Sequence, residues 1–310
     1  MPELPDIELY LHALRPRLVG QAIRDVRVAS PFLVRTTAPS TGDLVSHTVT
    51  RLGRLGKRVA LYTTGPAMVV HLMIAGRFQW KPPGAPLPKR LGLMAIDVAG
   101  GTLLLTEAGS TRRAAVHMAI DAEAAKVHDP GGLEVLEAGL DAFRAQLATE
   151  RHTLKRSLTD PRLFSGIGNA YSDEILHRAR LAPTTMSDAL TADESRRLHE
   201  AARAILTEWR DRLIAETGDA FPAKVTAFRP GMAVHGRYGQ PCPDCNTPIQ
   251  RLRYASNEVN YCPTCQTGGR LLADRALSRL LREDWPRSLD ELERHKAARR
   301  QASSSPGDEA

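Results

Sequence analysis

Short apolar runs that alternate with turn residues dominate the first 120 residues of this chain. Each run holds four to seven residues, and stretches rich in Gly and Pro, such as TTGPA and KPPGAPLP, separate the runs. Short strands at such a spacing are typical of a β-sandwich or a β-barrel. We therefore predict strands at 26–29, 58–64, 67–73, 93–99 and 102–107.

A helical period precedes these strands and returns after residue 138. Ile7, Leu11 and Leu14 fall on one face of a predicted helix near the start of the chain. Residues 138–215 contain several stretches with the same period, and RLLADRALSRLLRED at 270–284 predicts one more amphipathic helix. Strands followed by helices indicate a multidomain α+β protein.

Composition places the chain among ordinary globular proteins with a basic balance. Its 310 residues include 42 Lys and Arg against 35 Asp and Glu, a formal net charge of +7. A basic balance raises the expectation of a nucleic-acid partner without establishing one. The sequence contains no long apolar run and no signal-peptide pattern, so we expect a cytoplasmic protein whose cysteines are reduced.

The four cysteines form two C-x2-C pairs. Cys242 and Cys245 make the first pair, Cys262 and Cys265 make the second, and sixteen residues lie between the pairs. Two such pairs supply the four thiolates of a tetrahedral zinc site with no open position, so we predict one structural Zn2+. The alternative is four core thiols without metal. The intervening segment alternates like a β-hairpin, and its arginines suit either phosphate contact or a solvated surface.

A glycine-rich turn, GIGN at 166–169, precedes a predicted helix. Asn169 is placed to cap that helix, and Gly166 and Gly168 permit a tight turn and a close approach to a ligand. A helix N-terminus attracts phosphate. An ordinary helix start with nothing bound is the alternative.

Five motifs follow one another along the chain. They are PELPDIE, GRLGKRVAL, HLMIAGRF, GIGNAYSDEILHRA and HGRYGQPCPDC with its second C-x2-C pair. Together they resemble the formamidopyrimidine-DNA glycosylase / endonuclease VIII family, and the resemblance spans residues 1 to about 266. The resemblance implies a two-layer β-sandwich with flanking helices, a helical domain with a helix–two-turns–helix element, and a zinc-finger hairpin. It also implies removal of oxidised bases from DNA and cleavage at the abasic site.

The resemblance assigns catalytic roles to three residues. Removal of Met1 would expose the secondary amine of Pro2, which attacks the sugar and forms an iminium that promotes β,δ-elimination. Glu3 is the expected general acid/base, and Lys57 is expected to contact a phosphate beside the damaged nucleotide. Asp6, where many members carry Glu, is given a supporting role.

The resemblance also implies DNA contacts, and two positions depart from the family pattern. His71 and Asn169 are expected to contact phosphates, Ile74 to fill the gap left by the extruded base, and Arg112 to face the orphaned partner base. Ala114 stands where formamidopyrimidine-type members carry Phe. Asn257 stands where they carry a phosphate-gripping Arg, a role that Arg251 or Arg253 could take over.

A third departure bears on the substrate. The segment between Gly218-Asp219 and HGRYGQPC is several residues shorter than in members that close this loop over 8-oxoguanine. We therefore expect a preference for oxidised pyrimidines or ring-opened purines. The partner is expected to be double-stranded DNA that carries an oxidised base or an abasic site, bound by a monomer in the bacterial cytosol.

Two other interpretations of the sequence stay open. A damage- or structure-specific DNA-binding protein without catalysis would explain Ala114 and Asn257 but not Pro2 and Glu3. A zinc-ribbon protein of the translation or transcription machinery would explain the cysteines and the charge but not the N-terminus.

The expected domains follow the chain in order. They are a β-sandwich (1–121), a linker (122–137), a helical DNA-binding domain (138–235), a zinc finger (236–270), and a C-terminal helix with a disordered tail (271–310). Leucines of the last helix either pack on the zinc finger or bind a partner.

Overall fold

The computed structural model describes residues 1–109, 111–254, 257–273 and 286–304. The described residues form two units. The first comprises Met1–Gln146, Leu158–Gly168 and Arg203–Ala227, and the second comprises Leu147–Ser157, Asn169–Ala202 and the described residues from Phe228 onward. Within these described ranges no helix is both long and apolar enough to cross a membrane.

The first unit contains two antiparallel four-stranded sheets, which confirms the predicted β-sandwich. One sheet has the strand order β1-β6-β7-β5 and the other β2-β3-β4-β8. The strands are β1 (Asp25–Val28), β2 (Val49–Leu55), β3 (Arg58–Thr63), β4 (Ala67–His71), β5 (Gly76–Lys81), β6 (Gly92–Val98), β7 (Gly101–Glu107) and β8 (Ala115–Ala119).

The five predicted strands are present as β1, β3, β4, β6 and β7, whereas β2, β5 and β8 were not predicted. The sequences of these three strands are VTRLGRL, GRFQWK and AVHMA, which carry polar residues in place of an apolar run. Cross-strand pairing makes them strands, since β2 pairs along β3, β5 along β7 and β8 along β4. Their stabilisation is non-local, so a local pattern does not reveal it.

Helix α1 (Leu4–Leu18) confirms the predicted N-terminal helix and begins earlier than its apolar face indicated. Glu3 occupies the N-cap, and its backbone N–H donates to Asp6 Oδ2 at 2.9 Å. Pro5 lies in the first turn, where a missing N–H costs nothing. The helix is buried on most of its surface, and Tyr10 packs edge-on against Phe78 with ring centroids 5.3 Å apart.

The predicted central helices are present as four segments. They are α2 (Leu140–Ala148), α3 (Leu154–Thr159), α4 (Asn169–Ala179) and α5 (Ala192–Thr217). Helix α4 carries an amphipathic sequence that is nevertheless almost entirely buried. Short 3-10 turns connect the elements, among them Ala124–His128.

The cysteine region folds as the predicted hairpin. Strands β9 (Gln250–Tyr254) and β10 (Asn257–Tyr261) pair antiparallel, and the short helix α6 (Pro263–Thr267) follows. Leu272 packs with Leu252, Val259 and Tyr261 in one apolar cluster. The predicted helix at 270–284 lies mostly outside the described residues, and a last helix, α7, spans Leu289–Ser304.

Candidate active site and zinc centre

The Glu3 carboxyl group lies at the centre of a buried polar cluster in the first unit. Glu3 is only 3% exposed although it is the third residue of the chain. Its Oε2 accepts a hydrogen bond from the Gly168 backbone N–H at 2.6 Å. Leu4 N–H donates to the Gly166 carbonyl at 2.9 Å, so the start of α1 is bonded to the GIGN turn by two contacts. These contacts fix the carboxyl group in one position.

Glycine is required at both positions of the turn. A Cβ on Gly168 would lie 2.5 Å from Glu3 Cδ and 2.8 Å from Lys57 Nζ. Gly166 has φ +77°, and a Cβ there would lie 2.7 Å from Leu4 Cβ. Because Gly168 has no side chain, the Glu3 carboxyl and the Lys57 ammonium can both approach its backbone closely.

Lys57 lies in the β2–β3 hairpin turn, which Arg54 holds in place. The Arg54 guanidinium contacts Glu8 at 3.1 Å and Ser165 Oγ at 3.0 Å, and it also bonds Glu134. It further donates to the Gly56 carbonyl at 3.0 Å, directly beside Lys57. Arg54 thus connects helix α1, the lysine turn and the GIGN turn, a role that was not predicted from the sequence.

The amino terminus lies among charged groups of the same unit. Burial lowers the pKa of the Met1 α-amino group below its ordinary value, and Arg77 and Lys57 lower it further, while Glu3 and Asp6 oppose the shift. Pro2 is buried, and its nitrogen is an amide as long as Met1 is present. Burial and these positive charges therefore favour the neutral form of the Met1 amine.

His71 ends strand β4 and is held neutral at physiological pH. Burial is the main cause, and the positive charges of Arg58 and Lys57 and nearby His117 add to it, so the pKa of His71 falls to about 4. A neutral imidazole can donate one hydrogen bond to a phosphate but carries no charge.

Ile74 and Arg112, which are predicted to enter the DNA, and Ala114, which departs from the family pattern, differ in exposure. Ile74 is 58% exposed and follows Met73, which has a φ of 54°. Ala114 is 4% exposed, and its backbone N–H donates to buried Glu107 at 3.0 Å. Arg112 lies on the surface, where its guanidinium donates to the Arg90 carbonyl at 2.6 Å. Of these side chains, Ile74 is the apolar one that reaches solvent.

Asn169 opens helix α4 in the second unit. The helix spans Asn169–Ala179, so Asn169 lies at its first turn. The Asn169 side-chain amide donates to the Glu258 carbonyl at 2.9 Å, and Lys155 Nζ donates to the Asn169 backbone carbonyl at 2.6 Å. Asn169 is therefore held by the zinc hairpin.

Two buried carboxylates of α4 were not predicted. Asp173 contacts Lys155 Nζ at 2.6 Å and His235 Nδ1 at 2.8 Å. Glu174 accepts hydrogen bonds from three successive backbone N–H groups, those of Ala233, Val234 and His235, at 2.7 to 2.9 Å. Burial raises the pKa of Glu174, and these hydrogen bonds oppose the shift. The two carboxylates anchor the segment before the first cysteine pair.

The four cysteine Sγ atoms lie within 4.8 Å of one another. Cys242 and Cys265 are 3.9 Å apart, and Cys245 and Cys262 are 3.4 Å apart. Tetrahedral thiolates around zinc would be about 3.8 Å apart, so the donor set fits one structural Zn2+ and confirms the predicted metal site. His177 Nε2 lies 3.3 Å from Cys242 Sγ, where its N–H can support the thiolate.

The hairpin presents Asn257 and Arg253 to solvent. Asn257 is exposed at the start of β10, and the Arg253 side chain is 65% exposed. Arg251 lies over the Tyr238 ring at 4.0 Å and contacts Glu258 at 3.1 Å. Arg253 is therefore the more accessible of the two arginines that could replace the missing charge at Asn257.

Three domain descriptions match consecutive parts of the chain. Residues 1–119 match the formamidopyrimidine-DNA glycosylase N-terminal domain, and residues 133–210 match the formamidopyrimidine-DNA glycosylase H2TH domain. Residues 239–268 match the zinc finger found in FPG and IleRS.

Relatives of similar length carry the same description. A formamidopyrimidine-DNA glycosylase of Thermus thermophilus is 32% identical over 280 residues, which cover 87% of this chain and 100% of the relative. One of Streptococcus pneumoniae is 27% identical over 86% of this chain and 99% of its own. An uncharacterized formamidopyrimidine-DNA glycosylase-like protein of Mycobacterium tuberculosis is 38% identical, over 49% of this chain and 94% of its own.

Solved structures agree with these relatives. The MutM (Fpg) protein from Thermus thermophilus superposes with a TM-score of 0.71 at 30% identity and covers 86% of this chain and 98% of its own. The Lactococcus lactis Fpg in complex with DNA containing an abasic site gives a TM-score of 0.75 at 23% identity, covering 86% and 99%, a likeness of fold. Sequence, domain order and fold agree, and the chain belongs to the formamidopyrimidine-DNA glycosylase family.

Proposed function

We propose that this chain removes oxidised pyrimidines and ring-opened purines in preference to 8-oxoguanine, and that it cleaves the abasic site through an iminium on Pro2. Family membership makes the chain a DNA glycosylase for oxidised bases in base excision repair, with lyase activity at abasic sites. The observation that carries the proposal is the buried cluster of Glu3, Gly168 and Lys57 beside the amino terminus. Glu3 is also the N-cap residue of helix α1, so the support for an acid/base role comes from its position beside Lys57 and the amino terminus and not from its burial alone.

The first proposed step uses the Pro2 amine after Met1 has been removed. The nitrogen lone pair forms a bond to C1′ of the sugar, and the C1′–base bond breaks with its electron pair leaving on the base. The attack leaves a proton on nitrogen, which passes to the Glu3 carboxylate. The lowered pKa at the amino terminus supports this step because the nucleophile must be neutral.

Glu3 acts again in the second step. The nitrogen lone pair expels O4′, Glu3 returns the proton to O4′, and the sugar opens to an iminium. The iminium nitrogen carries no N–H proton, so its positive charge persists and acidifies C2′. Loss of the C2′ proton breaks the C3′–O bond, loss of the C4′ proton breaks the C5′–O bond, and water releases Pro2.

The remaining predicted residues are proposed to position the DNA. Lys57, His71 and Asn169 contact backbone phosphates, and Arg253 supplies the positive charge that Asn257 lacks. Ile74 fills the space of the extruded base, which its exposure supports, and Arg112 faces the partner base. The protein is proposed to act as a monomer on duplex DNA in the bacterial cytosol.

Covalent trapping tests the lyase mechanism. Borohydride added to the protein and abasic duplex DNA should reduce the iminium to a stable cross-link at Pro2, located by peptide mass spectrometry. The matched control is Pro5→Ala, which changes the other proline of the first turn and should leave trapping intact. An uncleavable N-terminal extension should abolish the cross-link, and persistence of trapping with that extension would contradict the mechanism.

An excision panel tests the substrate preference. Duplexes with thymine glycol, dihydrouracil, formamidopyrimidine or 8-oxoguanine are compared under single-turnover conditions. The short segment after α5 supports faster release of thymine glycol, dihydrouracil and formamidopyrimidine than of 8-oxoguanine. Faster release of 8-oxoguanine than of all three would overturn the preference and leave the lyase mechanism standing.

A DNA-binding protein without catalysis is the second candidate. Buried Ala114 and uncharged Asn257 favour it, because both depart from the family pattern. The same trapping experiment separates the two functions. Tight binding to abasic DNA with no cross-link on any abasic substrate would establish the binding protein.

A further inference from the structure

Three histidines and one arginine gather on one face of the second sheet, outside the Glu3 cluster. Strand register pairs Arg58 with His71 and His71 with Ala115, so Arg58 and His71 share a row of that sheet. His117 lies two residues beyond Ala115 on β8, and side chains two residues apart point to the same face. His117 therefore lies on the face that carries His71.

The fourth member comes from the segment that covers this face. The turn Ala124–His128 packs through Ala124 and Ala125 on the apolar part of the sheet. At its end, the His128 ring lies against the His117 ring with centroids 4.3 Å apart and planes 34° apart. We call Arg58, His71, His117 and His128 the histidine–arginine cluster, and all four side chains are partly exposed.

The groups facing these side chains are mostly cationic. The positive charges of Arg58 and Lys57 act on His71 together with His117, those of His128, Arg58 and Arg35 act on His117, and that of Arg58 acts on His128. Asp129 is the carboxylate that acts on Arg58. Burial comes first among the causes that lower the pKa of all three histidines, and the neighbouring charges add to it. The cluster is therefore short of negative charge.

We propose that Arg58, His117 and His128 of the histidine–arginine cluster bind a second backbone phosphate of the duplex, beside the one contacted through His71, and that His117 and His128 take up protons when it binds. The inference rests on the proposed function, which places His71 against the DNA backbone. A phosphodiester bound there would supply the missing negative charge and accept hydrogen bonds from the side chains of Arg58, His117 and His128. Its bound charge favours the protonated imidazoles, so binding and proton uptake are linked.

The sign of the linkage is fixed by this arrangement. Free histidines of the cluster are neutral near pH 7, and bound histidines hold more protons. Affinity for duplex DNA therefore rises as pH falls from 8 to 6. The number of phosphates neutralised also rises, and this number sets the salt dependence of binding.

The test measures the slope of log Kd against log salt for a duplex with a tetrahydrofuran abasic analogue, which cannot be cleaved. At pH 6 the salt dependence of the wild type should be steeper than that of His117→Gln/His128→Gln. The difference in slope should be about one unit for each phosphate that the variant fails to neutralise. At pH 8 the two slopes should agree. Gln keeps a hydrogen-bonding group without titrating, and unchanged melting temperatures ensure that the comparison concerns folded proteins.

The matched control is His47→Gln. His47 lies beside Thr64, at the opposite end of β3 from Arg58, and should give wild-type slopes at both pH values. Equal slopes for wild type and double variant at pH 6, or a difference that persists unchanged at pH 8, would overturn the proposal. Borohydride trapping of the same variants reports separately on the lyase mechanism, so failure of one is distinguishable from failure of the other.

Discussion

At the scale of single residues, Gly168 combines a hydrogen-bond donor with the absence of a side chain. Its N–H fixes the Glu3 carboxyl, and its bare Cα leaves room for that carboxyl and for Lys57. Its φ is outside the left-handed region, so Ala would not strain the backbone there. The cost of a side chain at this position is therefore purely one of space.

We predict that Gly168→Ala slows covalent trapping by about 100-fold or more, because displacement of a catalytic group by about 1 Å has that effect. The measurement is the single-turnover rate of borohydride trapping on abasic DNA. Gly139→Ala is the matched control, since a Cβ there has open space and should leave the rate unchanged. Equal rates for both variants would show that the close approach is not needed.

The amino terminus gives a prediction for pH. The rate of trapping should rise with pH as the Pro2 amine loses its proton. Burial and Arg77 lower the pKa of the Met1 amine next to it, and we expect the same causes to make the rate level off below the ordinary pKa of an α-amino group. Arg77→Gln removes the positive charge, so the midpoint of the pH–rate profile should move to higher pH. Arg24→Gln, at an exposed position, should leave the midpoint in place, and a downward shift with Arg77→Gln would contradict this reasoning.

The sequence predicts those functional residues that lie in family motifs. Pro2, Glu3 and Lys57 were found because family motifs contain them, although each has an ordinary alternative when taken alone. Arg54, Asp173 and Glu174 were missed because charged residues in a helix or hairpin pattern are usually solvated. Only contacts with residues far along the chain, such as Ser165 with Arg54, show that they are buried.

At the scale of elements, helix α4 fixes the segment that leads into the zinc site. One carboxylate, Glu174, satisfies three consecutive N–H groups that would otherwise be buried without partners. A carboxylate accepts hydrogen bonds with both oxygens, whereas an amide offers one oxygen and two donors.

We predict that Glu174→Gln lowers the free energy of unfolding by about 2–3 kcal/mol, because hydrogen bonds to a buried charged group are removed and an NH2 group then faces backbone donors. Chemical denaturation monitored by circular dichroism measures this change. Glu216→Gln is the control, because the exposed pair of Glu216 with Arg212 should contribute no more than about 0.5 kcal/mol. Similar losses for the two variants would contradict the role given to Glu174.

The sequence predicts strands with continuous apolar runs better than strands that contain polar residues. Continuous apolar runs located β3, β4, β6 and β7, because these strands are buried on both faces. The sequence of β8 contains a histidine in place of such a run, and that histidine belongs to the histidine–arginine cluster. A strand with a polar residue in its middle, held by pairing with a buried neighbour, is thus the kind that a pattern of apolar residues misses.

At the scale of the whole molecule, the cysteines form part of an apolar core of the second unit. Val234 and Ile249 pack directly with them in one small cluster. Removal of zinc with a chelator should therefore unfold the hairpin and increase amide exchange across 242–254 and 257–272. Amides of the sheets in the first unit should keep their protection, measured by hydrogen exchange with mass spectrometry. Unchanged exchange in the hairpin after complete zinc removal would contradict a structural role for the metal.

The two units of the chain cannot be predicted from the order of sequence patterns. Sequence patterns divide a chain into consecutive ranges, whereas helix α5 supplies Arg203–Thr217 to the first unit and its earlier residues to the second. Nothing in the helical period of α5 marks this change, because both parts repeat at the same spacing. The periodic signal reports burial of a face, and it does not report which neighbour buries that face.

The hydrogen bond between Gly168 and Glu3 also has a consequence in time. The two residues are 165 positions apart, so the ribosome completes Glu3 long before its partner exists. At ~5–20 residues per second this delay is roughly 8–33 s. Throughout that interval the Glu3 carboxyl lacks the Gly168 N–H that fixes it in the folded protein. Translation order thus places the synthesis of the amino terminus well before that of the residue that holds Glu3, so a chain that ends before Gly168 lacks this contact.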